Sequence, residues 1–177
     1  MRPARPRARL LALLAFAIAM GWLEGVVVVY IRALIGIARG DALPEAADVM
    51  ERMRAVPWLM STEQTRELAT LVMLAAVAWV ATREWRARLG ALLVCFGVWD
   101  IVYYIALRAM LGWPPGLTTM DVLFLIPPHP IWHQPVWVPV AISTAMIAIG
   151  TMLFVREGPA PGFEGRPGPQ ASGPASR

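Results

Sequence analysis

GVWDIVYYIALR (residues 97–108) places an aspartate and an arginine inside a strongly hydrophobic segment. The segment belongs to an apolar run over residues 89–111, which is long enough to cross a bilayer. Three further runs of this kind cover about residues 10–35, 62–82 and 136–155. Hydrophobic residues make up 58% of the 177-residue chain, more than one soluble core of this size requires. The sequence therefore predicts an all-α membrane protein with four transmembrane helices.

Arginines predict the orientation of these helices. They precede the first span, fill the turn after the second and follow the fourth: Arg2, Arg5, Arg7, Arg9, Arg83, Arg86, Arg88 and Arg156. The link over residues 112–135 contains neither Arg nor Lys. The positive-inside rule then places both termini in the cytoplasm, and we expect a multi-pass protein of the bacterial inner membrane. Since topology accounts for the arginines, the net charge of +4 does not indicate a nucleic-acid partner.

Composition divides the chain into three regions. Residues 1–9 form a basic cytoplasmic N-terminus, and residues 10–157 form the transmembrane domain. Residues 158–177 are rich in Gly, Pro and Ser and nearly free of apolar side chains, which predicts a disordered cytoplasmic tail. The first apolar run begins like a secretory signal but continues to Ile31, so we expect it to remain as an uncleaved span.

The segment between the first and second spans has a helical pattern of its own. Val49, Met53 and Val56 recur at helical spacing. They predict a short amphipathic helix on the outer membrane surface, with Pro44 in its first turn. The STEQ sequence that follows fits a capping box, so the second span is predicted to begin at Ser61.

The outer link between the third and fourth spans is rich in proline and tryptophan. Its apolar centre is too short to cross a bilayer and is closed by Pro127 and Pro128. This favours a re-entrant or interfacial hairpin. Thr118 and Asp121 fit a capping box, which predicts a short helix over residues 120–126. Three tryptophans are expected at headgroup level: Trp113, Trp132 and Trp137.

The opening stretch has a counterpart earlier in the chain. GWLEGVVVVYIR matches GVWDIVYYIALR at an offset of 76 residues, which pairs Glu24 with Asp100 and Arg32 with Arg108. Further matches continue at an offset of 73, a change that a three-residue deletion in the outer link explains. Charged residues are rare inside spans, so the shared acid and arginine indicate a duplicated two-helix unit. Both copies would run outward from the cytoplasm, as a parallel repeat.

Glu24 and Asp100 lie near the middle of their predicted spans. An ionisable group at that depth costs at least about 2.5 kcal/mol, so it must face the bundle interior and find a partner or stay protonated. Arg32 and Arg108 lie two turns further toward the outside. This arrangement predicts a polar pocket that opens outward, with the acids deep and the arginines at its rim.

Seven side chains are expected to contact a ligand: Glu24, Arg32, Glu67, Asp100, Tyr104, Arg108 and Asp121. The four acids have simpler alternatives. Glu24 and Asp100 could be neutral, hydrogen-bonded packing groups, with Tyr103 and Tyr104 one turn above Asp100 as its partners. Glu67 could be an ordinary acid in the first turn of a helix, and Asp121 a capping residue. No catalytic residue is assigned.

Other candidate sites have little support from the sequence. His129 and His133 are four residues apart, but prolines at 128, 130 and 135 exclude a regular helix through them, so we expect no metal site. The lone Cys95 is expected to be a packing residue. No phosphate-binding loop, HExxH or CxxC motif occurs, and we expect no cofactor.

The combination of EGVVVVYIR, STEQTRE, FGVWDIVYY and DVLFLIPPHPIWHQPVW resembles a family of small multi-pass bacterial membrane proteins. The resemblance covers about residues 20–155. It implies a recurring architecture, but it brings no activity, substrate or cofactor with it.

Three functions remain open. The first is a proton-coupled transport module, in which Glu24 and Asp100 change protonation and Arg32 and Arg108 attract an anionic substrate. The second is an intramembrane enzyme that acts on a lipid or isoprenoid headgroup with the two acids as acid and base. The third is a non-catalytic subunit whose polar groups bind a partner helix. We expect membrane lipid as a partner and, because four spans are few for a transporter, a homo-oligomer.

Overall fold

The computed structural model describes residues 6–37, 45–127 and 129–156. The described residues form five α-helices: α1 (Pro6–Leu34), α2 (Ala46–Ala55), α3 (Leu59–Ala81), α4 (Trp85–Leu111) and α5 (Trp137–Val155). Two short strands, β1 (Met120–Val122) and β2 (His133–Pro135), pair antiparallel, and a 3-10 turn precedes β2. The predicted positions of the N-terminal residues 1–5, of Pro44 and of the tail lie outside the described residues.

Within the described residues, three helices are long and apolar enough to cross a membrane: α1, α4 and α5. The predicted class, a mostly helical protein with membrane-spanning helices, is confirmed to that extent. The remaining predicted span corresponds to α3, which is 23 residues long. Its first half contains Glu63, Arg66 and Glu67, and these charges reduce its apolar character.

Helix α4 lies at the centre of the bundle and packs against α1, α3 and α5. Small residues bring its backbone close to that of α5. A Cβ atom on Gly97 would lie 2.5 Å from the carbonyl oxygen of Ser143, and one on Gly150 would lie 2.7 Å from that of Gly90. Because lipid tails are as apolar as the helices, such close packing is a main source of helix association in a membrane. Cys95 is buried in this core, as expected of a packing residue.

The predicted helix before α3 is present as α2. Met50 and Met53 are buried on one side of it, whereas Glu51 and Arg54 are exposed on the other. The predicted capping box after it is wrong. Helix α3 begins two residues earlier, and the hydroxyl of Ser61 donates to the carbonyl of Trp58 instead. The early start follows α2 directly and places the apolar first residue of α3 in the core.

The predicted short helix over residues 120–126 is also wrong. Asp121 lies on β1 and pairs with Gln134 on β2. Backbone hydrogen bonds extend the strand pairing at both ends. The amide of Leu123 donates to the carbonyl of Trp132, and the amide of Val136 donates to the carbonyl of Thr119. A helix this short, closed by proline, leaves most of its backbone groups without partners, whereas a partner strand satisfies them. The link is a hairpin, as predicted, but it is built from strands.

The three outer tryptophans differ in exposure. Trp113 is only 5% exposed, so its predicted place as an anchor at the lipid headgroups is wrong. It packs in a cluster with Tyr104 and Val136, because the turn after α4 folds back onto the bundle. Trp132 is partly buried and donates its indole N–H to the carbonyl of Pro127, and Trp137 is 53% exposed.

The contact between α4 and α5 gives a first prediction. We expect Gly97→Ala to destabilise the protein by about 1–3 kcal/mol, because the added methyl group overlaps the backbone of α5. Gly116→Ala is the matched control, since a Cβ atom there meets no atom within 4 Å. Thermal unfolding in detergent measures both. Equal melting temperatures of the two variants would contradict the packing assigned to α4 and α5.

Candidate functional site

A cavity of about 150 Å³ lies between the C-terminal half of α1, the N-terminal half of α3 and the middle of α4. Side chains of α2 and of residues 120–125 complete its wall. A single water needs roughly 10–15 Å³ of such space, so the cavity has room for a ligand of several heavy atoms. Six of the seven predicted ligand residues line it: Glu24, Arg32, Glu67, Asp100, Tyr104 and Asp121.

Arg108 is the exception and lies outside the cavity. It is exposed, and its guanidinium donates to the carbonyls of Gly112 at 2.5 Å and Pro114 at 3.2 Å. Gly112 has a positive φ of 72° and ends α4, which directs these carbonyls toward the arginine. The two arginines of the sequence match therefore have different surroundings, and Arg32 is the one at the cavity.

Arg66 connects two helices at the cavity wall. Its Nη1 atom forms an ion pair with Glu24 of α1, and its Nε atom donates to Glu63 at 2.7 Å. Glu63 is buried, and Glu24 and Arg66 are partly exposed. Removing one partner of such a group leaves a buried charge without compensation, which is strongly destabilising. This partner of Glu24 was missed in the sequence, although three charges at positions i, i+3 and i+4 of an apolar helix marked it.

Asp100 has a different partner from the one considered in the sequence. The hydroxyl of Ser143 on α5 donates to it at 2.8 Å. Tyr104 instead donates at 2.9 Å to Asp121 on β1, which ties the hairpin to α4. A serine in an apolar span is common, so the sequence carried little signal for Ser143.

Asp121 lies outside the three candidate membrane-spanning helices, and its surroundings shift its pKa. Burial raises the pKa of this carboxyl to about 6, against the opposing effects of the hydrogen bonds from Tyr104 and the backbone and of the charge of Arg32. Burial therefore favours the protonated form of this carboxyl more than water does.

Glu67 and Gln64 hold the segment that follows β1. Both carboxylate oxygens of Glu67 lie 3.1 Å from the amide nitrogen of Leu125, which donates to them. The side-chain amide of Gln64 donates to the carbonyl of the same residue at 3.2 Å. This clamp on Leu125 attaches the hairpin to α3 and forms part of the cavity wall. Glu67 thus lines the cavity and also has a structural contact that the sequence did not indicate.

Two hydrogen-bond donors of the cavity wall have no acceptor among the described residues. The first is the Nη1 atom of Arg32, a residue that is 7% exposed. Its guanidinium carbon lies 4.5 Å above the centre of the Trp113 ring, a cation–π contact that leaves N–H groups free to bind elsewhere. The second is the indole N–H of Trp99, also 7% exposed. Unpaired buried donors are rare and costly, so these two nitrogens make the cavity the candidate functional site.

The cavity brings together the two acids of the proposed repeat. Glu24 and Asp100 both line it, and across the described residues no hydrogen bond joins them directly. Each has its own partner, Arg66 for Glu24 and Ser143 for Asp100. The described part of the chain contains no group of three or more His, Cys, Asp or Glu placed to hold a metal ion, and His129 accepts a hydrogen bond from the amide of Ile131.

Comparisons with protein families, with curated proteins and with solved structures found no match to this chain. The resemblance to small multi-pass bacterial membrane proteins stays a prediction. The functional argument therefore depends on the geometry of the cavity.

The clamp on Leu125 gives a second prediction. We expect Glu67→Leu to speed hydrogen exchange at the Leu125 amide by about tenfold or more, because it removes a charge-assisted acceptor. Glu51→Leu on the exposed side of α2 is the control and should leave that exchange rate unchanged. Exchange of the protein in detergent, read by mass spectrometry of peptides, measures both. An unchanged rate at Leu125 in Glu67→Leu would show that the clamp does not hold the hairpin.

Proposed function

We propose that this chain is a multi-pass inner-membrane protein whose outward-facing cavity binds a small polar or lipidic ligand as part of a proton-coupled transport module. One observation carries the proposal. The cavity wall contains ionisable side chains from α1, α3, α4 and β1 together with a buried, unpartnered guanidinium nitrogen on Arg32. Polar groups at such depth are costly in a membrane and are typical of ligand and proton sites.

We propose α3 as the fourth span. Its charged residues Glu63 and Glu67 are buried toward the cavity, whereas Leu68, Val72 and Val80 are exposed on other faces. A span with acids on its inner face and aliphatic side chains outside is compatible with lipid, since the polar groups avoid hydrocarbon. With four spans, both termini and the basic turn after α3 lie in the cytoplasm.

A duplicated two-helix unit is part of the proposal. Asp100 accepts a hydrogen bond from Ser143, and Thr70 lies within interaction range of Glu24. Glu24 matches Asp100 at the offset of 76, and Thr70 matches Ser143 at the offset of 73. Each unit thus pairs an acid on its first span with a hydroxyl on its second. The outer segments differ, because one copy contains α2 and the other the strand pair.

Proton coupling is proposed from the contacts of the acids. Asp100 and Asp121 each accept a hydrogen bond from a neutral hydroxyl, and neither forms an ion pair within the described residues. Such carboxyls gain or lose a proton without breaking a salt bridge. We propose a homo-oligomer in contact with membrane lipid as the working form, since four spans are few for alternating access by one chain.

An intramembrane enzyme is the second candidate. It requires two carboxylates within about 9 Å of each other, and its support is that Glu24 and Asp100 line one cavity. The third candidate, a subunit that presents a polar face to a partner helix, receives less support, because both acids face the interior.

The topology gives a third prediction. In a Cys95→Ala background, we expect Thr118→Cys to react with a membrane-impermeant maleimide on intact cells, because the outer link faces outward. Arg86→Cys, in the basic turn, should react only after lysis. Both positions are exposed in the structure, so accessibility to solvent does not bias the comparison. Labelling of Arg86→Cys in intact cells would contradict the orientation and the fourth span.

Ligand binding gives a fourth prediction. We expect the protein purified in a neutral detergent to retain a small molecule or lipid that mass spectrometry detects. Glu24→Gln and Asp100→Asn should each reduce its amount at least about tenfold, which corresponds to a loss of roughly 1.4 kcal/mol. Glu84→Gln is the control, because that side chain is exposed beside the start of α4. Equal amounts in all four proteins would contradict the binding role of the cavity.

A further inference from the structure

The two donors without acceptors specify the chemistry of the ligand, provided that the proposed ligand-binding function holds. Arg32 contributes a charged Nη1–H from α1, and Trp99 contributes a neutral Nε1–H from α4. Both side chains line the same cavity and both are 7% exposed. Since neither nitrogen accepts hydrogen bonds, the missing partner must be a hydrogen-bond acceptor.

The carboxylates of the cavity do not supply that acceptor, although several are near. Glu24 and Glu63 share Arg66, and Glu67 accepts from the amide of Leu125. The two aspartates accept from Ser143 and Tyr104. These contacts hold each acid on its own partner. Of the two arginines that line the cavity, Arg66 forms ion pairs, and Arg32 forms none with the described residues.

The remaining wall of the cavity is apolar. Val49, Met50 and Met53 come from α2, and Val122 and Phe124 come from the hairpin. Methionine side chains adapt to irregular shapes, which suits a surface for a flexible hydrocarbon chain. The cavity thus combines a cationic donor with an apolar wall, as expected for the charged end of an amphiphile.

We propose that Arg32 binds the anionic oxygens of an oxyacid group, a carboxylate, phosphate or sulfonate. This deepens the proposed function by naming the class of ligand. An Arg guanidinium is well suited to such groups, because its planar N–H groups match their oxygens. The oxyacid group belongs either to an amphiphile from the membrane or to a free anion from outside, and the binding chemistry is the same.

The competing possibility is a positively charged ligand, because five acidic side chains line the cavity. A bound cation would leave the Arg32 donor without an acceptor and would add a third positive charge to those of Arg32 and Arg66 in one cavity. An oxyanion satisfies the Arg32 donor and neutralises its charge. Charge selectivity therefore separates the two possibilities.

The probe is decane-1-sulfonate, whose charge does not change between pH 5 and pH 8, added to protein in a neutral maltoside detergent. Titration calorimetry measures its affinity for the wild type, Arg32→Gln and Arg108→Gln. We expect Arg32→Gln to weaken binding at least about tenfold, or roughly 1.4 kcal/mol. Arg108→Gln is the matched control and should bind as the wild type does, because Arg108 lies outside the cavity. Arg32→Lys should restore part of the affinity, since it keeps the charge but not the planar geometry.

Two further titrations identify the source of the ligand and the sign of its charge. If inorganic phosphate binds and Arg32→Gln weakens that binding, the ligand is a soluble anion. If decanesulfonate binds and phosphate does not, the ligand is an anionic amphiphile. Decyltrimethylammonium tests the cation. Tighter binding of this probe than of decanesulfonate, or equal sulfonate affinity in wild type and Arg32→Gln, would overturn the proposal.

A second variant covers the case in which Arg32→Gln does not fold. Arg32→Lys keeps a charged donor but lacks the planar pair of N–H groups, so we expect it to bind the sulfonate several-fold more weakly than the wild type does. Unchanged affinity in Arg32→Lys, with Arg32→Gln unfolded, would also overturn the proposal. The oxyanion proposal and the proposed function can fail separately. If Arg32→Gln leaves sulfonate binding unchanged but Glu24→Gln and Asp100→Asn still reduce the amount of co-purifying molecule, the cavity binds a ligand, but not through an oxyanion at Arg32.

Discussion

Arg66 interacts with two carboxylates, Glu24 on α1 and Glu63 on its own helix, and this contact determines which face of α3 turns inward. A buried charge without a partner is costly, and this pairing lets the acidic stripe of α3 face the bundle. Once that face is set, Glu67 reaches Leu125 and holds the hairpin over the cavity. The cavity wall is thus a consequence of satisfying charges within an apolar chain.

Two further polar contacts at the cavity also join two different elements. Ser143 on α5 bonds to Asp100 on α4, and Tyr104 on α4 bonds to Asp121 on β1. Small residues bring α4 and α5 together, and the hydrogen bonds then fix their rotation. Arg32 and Trp99 depart from this pattern within the described residues. These two unpaired donors are the basis on which we propose that the cavity binds a ligand.

The position of the polar residues could be predicted from the sequence, but not their partners. The cost of burying an acid predicted that Glu24 and Asp100 face the interior, and both line one cavity. The match between Arg32 and Arg108 was misleading, because the turn at Gly112 captures the second arginine through its backbone carbonyls. The capping pattern at Asp121 was overruled by β2, which offered backbone partners that a short helix lacked.

The helical class, three helices apolar enough to cross a membrane and the charged residues that interrupt the apolar segments follow from hydropathy and charge, which are properties of the chain alone. The pairing of Arg66 with Glu24 and of Ser143 with Asp100 arises from tertiary contacts, as does the donor of Arg32 that has no acceptor among the described residues. These outcomes depend on the rotation of each helix and on backbone carbonyls and amides from distant segments. Such groups occur at every residue, so no pattern of side chains predicts which of them will be in reach.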